Sequence, residues 1–87
     1  MSRIIIDVRE PSEFASGHVK GAVNIPPSEL LAGAKLLEKT PKDAEIIVYC
    51  LSGARSNSAI NILKSFGFTN LSNGINQRNV EKMINTA

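Results

Sequence analysis

The sequence predicts an α/β sandwich with a mostly parallel central sheet, and three observations support that class. Two short runs, RIIIDV (residues 3–8) and EIIVYC (Glu45–Cys50), are continuously apolar and rich in β-branched residues. Such runs, without polar alternation, are typical of strands covered on both faces, as in a parallel sheet. Apolar residues at helical spacing follow the second run, and Gly- and Pro-containing segments separate the elements. Strands that alternate with helices favour this layered architecture.

Between the two runs, the sequence predicts two helices and a short strand. Pro11 suits the first turn of a helix because its φ is fixed, so a brief helix is expected over residues 11–16. A short strand is expected near residues 22–24, inside a Gly-rich loop. Ser28 is a candidate N-cap, and apolar residues at helical spacing extend the second helix to about Lys39.

After Cys50, the pattern changes to that of an amphipathic helix. This helix is expected to begin near Arg55 or Ser56, and its apolar face consists of Ala59, Ile62, Leu63 and Phe66. Gly67 stands where a left-handed C-terminal cap is expected.

The last part of the chain predicts one more strand and one more helix. FTNLS (residues 68–72) is a strand candidate, and SNG (residues 72–74) is expected to form a turn. A final helix of two or three turns is indicated by Val80, Met83 and Ile84. The length of 87 residues points to a single domain over residues 1–87.

Composition and charge narrow the classes of function. Hydrophobic residues make up 43% of the chain, which suffices for a modest aliphatic core and argues against disorder. The net charge is +2 and the lysines are scattered, so no nucleic-acid partner is expected. A mildly positive chain does suit a small anionic substrate. The single cysteine cannot form an internal disulfide.

The sequence also supports an expectation about the cellular location of the protein. It shows neither the charged and apolar pattern of a signal peptide nor an apolar stretch of about 18 residues. We therefore expect no membrane contact and a cytoplasmic location. A chain that begins after removal of a leader peptide would show the same pattern.

The candidate active site is the loop that follows the second long strand. Cys50 ends that strand, and ligands of open parallel sheets bind beyond the carboxyl ends of strands. The first N–H groups of the next helix lack intrahelical partners, and with the helix dipole they favour negative charge. Cys50 is the candidate nucleophile. The candidate substrate-binding residues are Leu51, Ser52, Gly53, Ala54, Arg55 and Ser56.

Two interpretations of Cys50 compete. Helix N-termini and arginines typically lower a cysteine pKa from about 8.5 to about 3.5–7.5, which would make Cys50 a nucleophilic thiolate. Arg55 would then supply a planar, charged fork for an oxyanion. Alternatively, Cys50 is a small, inert core residue. Gly53, Arg55 and the nearby helix start together favour the thiolate, whereas a thiol packed away from solvent would leave a reaction at Cys50 without a basis.

Two stretches of the chain resemble the rhodanese family. YCLSGARS (residues 49–56) is similar to the family's active-site loop, which begins at the catalytic cysteine and ends in Arg-Ser or Arg-Thr. DVREPSEFASGHVKGAVNIP (residues 7–26) is similar to its N-terminal signature. The resemblance implies a rhodanese-like three-layer sandwich with four or five strands. It also implies a thiosulfate sulfurtransferase without metal or organic cofactor.

In the implied reaction, the Cys50 thiolate takes a sulfane sulfur from thiosulfate or a similar donor and becomes a persulfide. Cyanide, a thiol or a protein acceptor then removes the sulfur. The resemblance implies that Asp7 and Arg9 brace the site, and that Glu13 is structural. His18 is a candidate general base, although a structural hydrogen bond is the expected role. Ser56 is expected either to donate a hydrogen bond to the substrate or to cap the helix.

The chain departs from the family pattern at several positions. Leu51 replaces a frequent basic residue, so the pocket mouth is less cationic and a bulkier or less charged donor could be preferred. Asn73 replaces one glycine of a Gly-Gly pair, and no tryptophan follows. Four residues separate Cys50 from Arg55, one fewer than in related phosphatases, which favours sulfur over a phosphoryl group. Two alternatives to the enzyme are a non-catalytic binding module and a protein-to-protein persulfide carrier.

Overall fold

The computed structural model describes residues 3–85, which form a four-stranded, fully parallel sheet with helices on both faces. The strands, in the sheet order β2-β1-β3-β4, are β1 (Arg3–Asp7), β2 (Val23–Asn24), β3 (Glu45–Cys50) and β4 (Leu71–Asn76). The helices are α1 (Pro11–Ala15), α2 (Pro27–Leu31), α3 (Ala54–Ser65) and α4 (Gln77–Asn85), and a 3₁₀ turn spans Lys35–Leu37. The predicted α/β class is confirmed.

The sheet is buried on both faces, as its continuous apolar strands predict. Successive side chains of a strand point to opposite faces. On β3, Ile46 and Val48 enter a core shared with α2 and α3, whereas Ile47 and Tyr49 enter a second core that includes residues of α1 and α4. All four side chains are at most 2% exposed. The two cores separate three layers.

Because all strands run in the same direction, their carboxyl ends share one edge of the sheet. Asp7 at the end of β1 pairs in register with Tyr49, and Cys50 at the end of β3 pairs with Asn76. The loops that follow β1, β3 and β4 therefore meet at this edge.

The predicted continuous helix up to Lys39 is wrong. The helix α2 ends at Leu31, and the chain then passes through Gly33 at φ +113° and Ala34 at φ +51°. These left-handed values interrupt a right-handed helix. Ala34 and Leu37 are nevertheless buried. The apolar pattern therefore predicts which side chains are buried, but it does not show that the helix ends between them.

Of the two predicted helix caps, one is wrong and one is confirmed. Pro26 rather than Ser28 is the N-cap of α2. At the other end of the chain, Gly67 has φ +99° and follows α3 as predicted. The N–H of Phe68 donates to the carbonyl of Leu63 at 3.2 Å, the long hydrogen bond of a Schellman cap.

The last strand lies further along the chain than predicted. The sequence places a strand at residues 68–72 and a turn at residues 72–74, but β4 includes that turn segment. Its register to β3 shifts by one residue, which makes Gly74 the extra residue of a bulge. A Cβ on Gly74 would lie 2.9 Å from the side chain of Ile47 and closer still to that of Val80. The glycine thus allows α4 to pack closely on the sheet.

The short helix α1 and the final helix α4 lie where the sequence predicts them. The nine residues of α4 make about two and a half turns. Within residues 3–85, none of the helices combines the length and apolar content needed to cross a bilayer.

Candidate active site

Cys50 is the last residue of β3, and a helix begins directly after the loop that follows it. The chain leaves the strand through Leu51 and Ser52 and turns at Gly53, the N-cap of α3, which has φ +95°. Glycine adopts this left-handed conformation at little steric penalty. The helix therefore begins at Ala54, slightly earlier than the sequence predicts. Its first turn lies against the cysteine side chain.

The sulfur of Cys50 faces several hydrogen-bonding groups of this loop. The N–H of Gly53 donates to Sγ at 3.1 Å, and the N–H of Ser56 donates at 3.4 Å. The hydroxyl oxygen of Ser56 lies 3.5 Å from Sγ. N–H groups at a helix start have no partner within the helix, and here they converge on a sulfur that becomes negative on ionisation.

Burial and hydrogen bonding act in opposite directions on the pKa of Cys50. Burial is the largest single effect and raises the pKa, because it disfavours the charged form. The hydroxyl of Ser56 and the N–H groups of Ser56, Ser52 and Gly53 lower the pKa, and together they prevail. The pKa falls from its ordinary value of 9.0 to about 7. Since burial in apolar surroundings alone raises a cysteine pKa, this environment favours the thiolate over an inert core residue.

The thiol is packed away from solvent, which is the outcome that the sequence analysis set against a reaction at Cys50. Cys50 is only 1% exposed, whereas Leu51 is 58% exposed. The loop directs its N–H groups inward to the sulfur and its apolar side chain outward to solvent. A reactant can therefore contact Sγ only if the loop moves.

Arg55 is already paired, so it does not present a free fork to an anion. Its Nη1 donates to Oε1 of Glu13 at 2.9 Å, and its Nη2 donates to Oε2 at 3.2 Å. The guanidinium and the N–H of Glu10 lower the pKa of Glu13 from its ordinary 4.5 to about 2. The Glu13 carboxylate thus stays ionised and holds Arg55 between α1 and α3. Sequence reasoning named both residues but not their contact.

Ser56 is buried and contacts several loop groups. It lies in the first turn of α3 rather than at the N-cap, where one of its predicted roles would place it. Its hydroxyl donates to Oδ1 of Asn73 at 2.6 Å and also lies 3.1 Å from the carbonyl of Gly53. Sequence reasoning noted Asn73 only as a departure from the family pattern, and its contact with the cysteine loop became visible only in the fold.

Asp7 and Arg9 form a buried ion pair at the same edge of the sheet. Nη2 of Arg9 lies 2.6 Å from Oδ2 of Asp7, and it also donates to the carbonyl of Gly17 at 2.7 Å. The hydroxyl of Tyr49 donates to Asp7 at 2.8 Å and accepts from the N–H of Val19 at 3.1 Å. Burial raises the pKa of Tyr49 to about 12. This network joins the loop after α1 to β1 and β3, and no sequence pattern indicated the role of Tyr49.

His18 lies on the surface, stacked on Phe14. The ring centroids are 3.6 Å apart, and Nδ1 lies 2.9 Å from the carbonyl oxygen of Phe14. These contacts support the expected structural role, whereas the polar contacts of the sulfur come from Gly53 and Ser56. Within residues 3–85, no three His, Cys, Asp or Glu side chains are grouped as metal ligands would be.

The fold and site define the class: a parallel α/β protein with a buried cysteine in the loop that leads into a helix. Comparison with known proteins then identifies the family. The sequence model of the Rhodanese-like domain matches residues 1–77, so the chain belongs to the rhodanese-like domain family. A solved structure of a rhodanese with anions from E. coli superposes with a TM-score of 0.79 at 32% identity, covering 90% of this chain and 91% of that one. The family and fold implied by the two motifs are confirmed.

Several curated relatives carry sulfurtransferase names. The thiosulfate sulfurtransferase PspE of Escherichia coli is 38% identical over 69 residues, which cover 78% of this chain and 64% of that protein. The thiosulfate:glutathione sulfurtransferase of Saccharomyces cerevisiae is 34% identical over 79 residues, which cover 79% of this chain and 57% of that protein. The chain spans 52–58% of the length of other curated relatives, from Schizosaccharomyces pombe and Bacillus subtilis.

Proposed function

We propose that this chain is a sulfurtransferase in which Cys50 carries the transferred sulfur as a persulfide. The observation that carries the proposal is the acidified thiol. The N–H groups of Gly53 and Ser56 contact Sγ, and the pKa of Cys50 falls to about 7 despite burial. About half of the thiol is then ionised near neutral pH, and the thiolate is the nucleophilic form. The sulfurtransferase names of two relatives support the same reaction class.

The first half of the reaction loads the enzyme. The Cys50 thiolate attacks the outer sulfur of thiosulfate and forms a new sulfur–sulfur bond. The old sulfur–sulfur bond breaks, and sulfite leaves with its electron pair. The terminal sulfur of the persulfide then carries the negative charge. The N–H groups of Gly53 and Ser56, which contact Sγ one sulfur–sulfur bond away, favour this charge as well.

The second half unloads the sulfur. The thiolate of an acceptor attacks the terminal sulfur and takes it as a persulfide, which leaves the Cys50 thiolate ready for another cycle. Cyanide would accept the sulfur as thiocyanate. The yeast relative is named for glutathione as its acceptor. A small thiol or a protein thiol is therefore the proposed acceptor class for this chain.

Donor binding rests on the loop rather than on a free cation. The proposed binding residues are Leu51, Ser52, Gly53, Ala54, Arg55 and Ser56, with Asp7, Arg9 and His18 as structural support. Because Glu13 pairs with Arg55 and Leu51 is apolar, the mouth attracts a dianion weakly. Thiosulfate therefore binds weakly, and a donor of lower charge binds comparatively better.

Mass spectrometry under non-reducing conditions tests the proposal. After incubation with thiosulfate, the wild-type protein is expected to gain the mass of one sulfur atom, and a thiol is expected to remove it. Cys50→Ser is the matched control, because a hydroxyl replaces the thiol with little change in shape. Wild-type protein that gains no sulfur from thiosulfate or from an organic thiosulfonate would show that the enclosed thiol does not react.

The same measurement separates the proposal from its alternatives. A non-catalytic rhodanese-like module would form no sulfur adduct with any sulfane donor. A persulfide carrier would load once but release its sulfur only to a protein. Turnover with a small donor and a small thiol is expected from the enzyme alone. The retained Cys50 and Arg55 favour the enzyme over the binding module.

A further inference from the structure

Asn73 of β4 connects the bulged strand to the cysteine loop. Its Nδ2 donates to the carbonyl of Gly53 at 3.1 Å, and its Oδ1 accepts from the hydroxyl of Ser56 at 2.6 Å. The N–H of Ile75 donates to the same Oδ1 at 2.9 Å. This contact fixes the orientation of the amide, because a flipped side chain would place two donors face to face. Since Oδ1 can only accept, the Ser56 hydroxyl must be the donor.

The hydroxyl of Ser56 has one proton. Its possible acceptors are Oδ1 of Asn73 at 2.6 Å, the carbonyl of Gly53 at 3.1 Å, and Sγ of Cys50 when ionised. While it donates to Asn73, its oxygen offers lone pairs to Sγ of Cys50, which lies 3.5 Å away. Lone pairs can accept from a neutral thiol, but they repel a thiolate. A thiolate favours the reverse arrangement, in which the hydroxyl donates to sulfur. The Ser56 hydroxyl therefore stabilises the thiolate only when it turns from Asn73 and donates to sulfur, whereas the loop N–H groups contact Sγ in either arrangement.

We propose that Asn73 is a positioning residue that controls the ionisation of Cys50 by competing with the thiolate for the single proton of Ser56. The competition deepens the proposed function, since it sets how much nucleophile is available for sulfur transfer. Its importance for catalysis rests on that proposed function. The ionisation itself is measurable without any sulfur donor, so the two proposals can fail separately.

The charged groups near the sulfur lie on other elements and are unchanged by substitution on β4. The hydrogen bond with Glu13 and, to a lesser extent, the charge of Cys50 raise the pKa of Arg55, and the carboxylate of Glu13 forms an ion pair with the same guanidinium. The strand β4, with the sequence LSNGIN, carries no charged side chain. The charged residues on the elements around the site are Arg55 and Lys64 of α3, Glu10 and Glu13 at α1, Arg3, Asp7 and Arg9 in or just after β1, Glu29 of α2, Glu45 of β3, and Arg78, Glu81 and Lys82 of α4. An uncharged substitution at position 73 therefore isolates the hydrogen bond.

Titration of the thiolate ultraviolet absorbance tests the proposal directly. Cys50 is the only cysteine, and the pKa of Tyr49, about 12, keeps phenolate absorbance out of the relevant range. Asn73→Ala is expected to lower the thiol pKa by about 0.5–1 unit, because Ser56 is free to donate to sulfur. Asn73→Asp is expected to raise it by about as much or more, because a carboxylate holds the proton and repels the thiolate.

Asn73→Ala and Asn73→Asp both lose the amide contact to Gly53. Opposite shifts of the Cys50 pKa in these two variants would therefore exclude a purely structural effect. Asn73→Gly, a second variant without the amide, is expected to shift the pKa downward as well. A double-mutant cycle adds the decisive control. In a Ser56→Ala background, Asn73→Ala is expected to leave the pKa unchanged. Asn61→Ala, the same change on the exposed side of α3, is expected to leave the wild-type pKa unchanged.

Three results would overturn the proposal: no shift in Asn73→Ala, an upward shift, or the same shift with and without Ser56. If the pKa shifts as expected but no variant gains sulfur from a donor, the positioning role stands and the sulfurtransferase proposal fails. If the wild-type protein gains sulfur while the pKa of Cys50 is insensitive to position 73, the sulfurtransferase proposal stands and the positioning role of Asn73 fails.

Discussion

Arg55 in the first turn of α3 and Glu13 of α1 form a two-point ion pair, with 2.9 Å between Nη1 and Oε1 and 3.2 Å between Nη2 and Oε2. Their side chains are 36% and 29% exposed, so solvent and salt weaken the pair. Its contribution to stability is accordingly small. Its consequence for the proposed function is larger, because it occupies the arginine that the cysteine loop would otherwise offer to an anionic donor.

Glu13→Gln is expected to lower the KM for thiosulfate by about two- to fivefold, the range of an exposed ion pair. The substitution removes the competing carboxylate, while the amide oxygen still accepts from the N–H of Glu10, as a capping box allows. Steady-state sulfur transfer from thiosulfate to cyanide measures the effect.

Glu38→Gln controls for the change in net charge, since Glu38 is exposed and lies beyond the 3₁₀ turn. It is expected to leave the KM unchanged. The gain in Glu13→Gln is expected to shrink as salt increases. An unchanged KM in Glu13→Gln at low salt would show that Arg55 takes no part in binding the donor.

The rate of sulfur loading is expected to rise with pH and to be half-maximal at about pH 7. The pKa of Cys50 lies near that value, and the rate below it follows the thiolate fraction. Mass spectrometry of samples quenched at several pH values measures the rate. A profile centred near pH 9, the ordinary thiol value, would contradict the role of the loop N–H groups.

The same lowered pKa makes folding stability depend on pH. Between about pH 7 and 9.0 the unfolded thiol holds a proton that the folded protein has lost, so stability rises with pH in this window. The contribution is complete above the unfolded value of 9.0 and is lost as pH falls through about 7. Urea unfolding of the wild type and Cys50→Ser is expected to show this slope only in the wild type.

Gly74→Ala is expected to destabilise the fold by about 1–3 kcal/mol, the range for overpacking a core. The new methyl group would lie 2.9 Å from Cγ2 of Ile47 and closer still to Val80. Thermal or urea unfolding measures the loss. Val80→Ala removes the closer contact, so Gly74→Ala is expected to destabilise that background less than the wild type. Equal losses in both backgrounds would place the strain elsewhere.

The strands and the cysteine loop were predictable because their signals are local. Continuous apolar residues mark β1 and β3, and Cys50, Gly53 and Arg55 lie within one short stretch. The signal for Gly74 was also local but led to a wrong prediction. Gly after Ser-Asn has the composition of a turn, whereas this glycine is required by the approach of Val80 from another element.

The partners of the site residues could not be predicted, because they are far apart in the chain. Glu13 meets Arg55, and Asn73 meets Ser56, only after the strands have aligned their carboxyl ends. Sequence spacing led to Cys50 as the candidate nucleophile, but it did not show that Arg55 is paired with Glu13 or that the thiol is enclosed. Charge and access at the site thus depend on long-range contacts.

Leu51→Lys is expected to lower the KM for thiosulfate by about two- to fivefold, the effect of one exposed charge acting on a nearby anion. Leu51 is 58% exposed, so a lysine adds a cation at the mouth of the site without removing a core side chain. A donor of lower charge, such as an aromatic thiosulfonate, is expected to gain less than thiosulfate. The thiosulfonate would also lose any apolar contact between its ring and Leu51.

Leu31→Lys provides the matched control, because Leu31 is 73% exposed at the end of α2 and undergoes the same chemical change. If the effect at position 51 is local, Leu31→Lys leaves the ratio of kcat/KM for the two donors unchanged, and Leu51→Lys shifts that ratio towards thiosulfate. Equal changes in both variants would assign the effect to net charge. A shift away from thiosulfate in Leu51→Lys would mean that the loop leucine, rather than the charge of the mouth, controls access to the enclosed thiol.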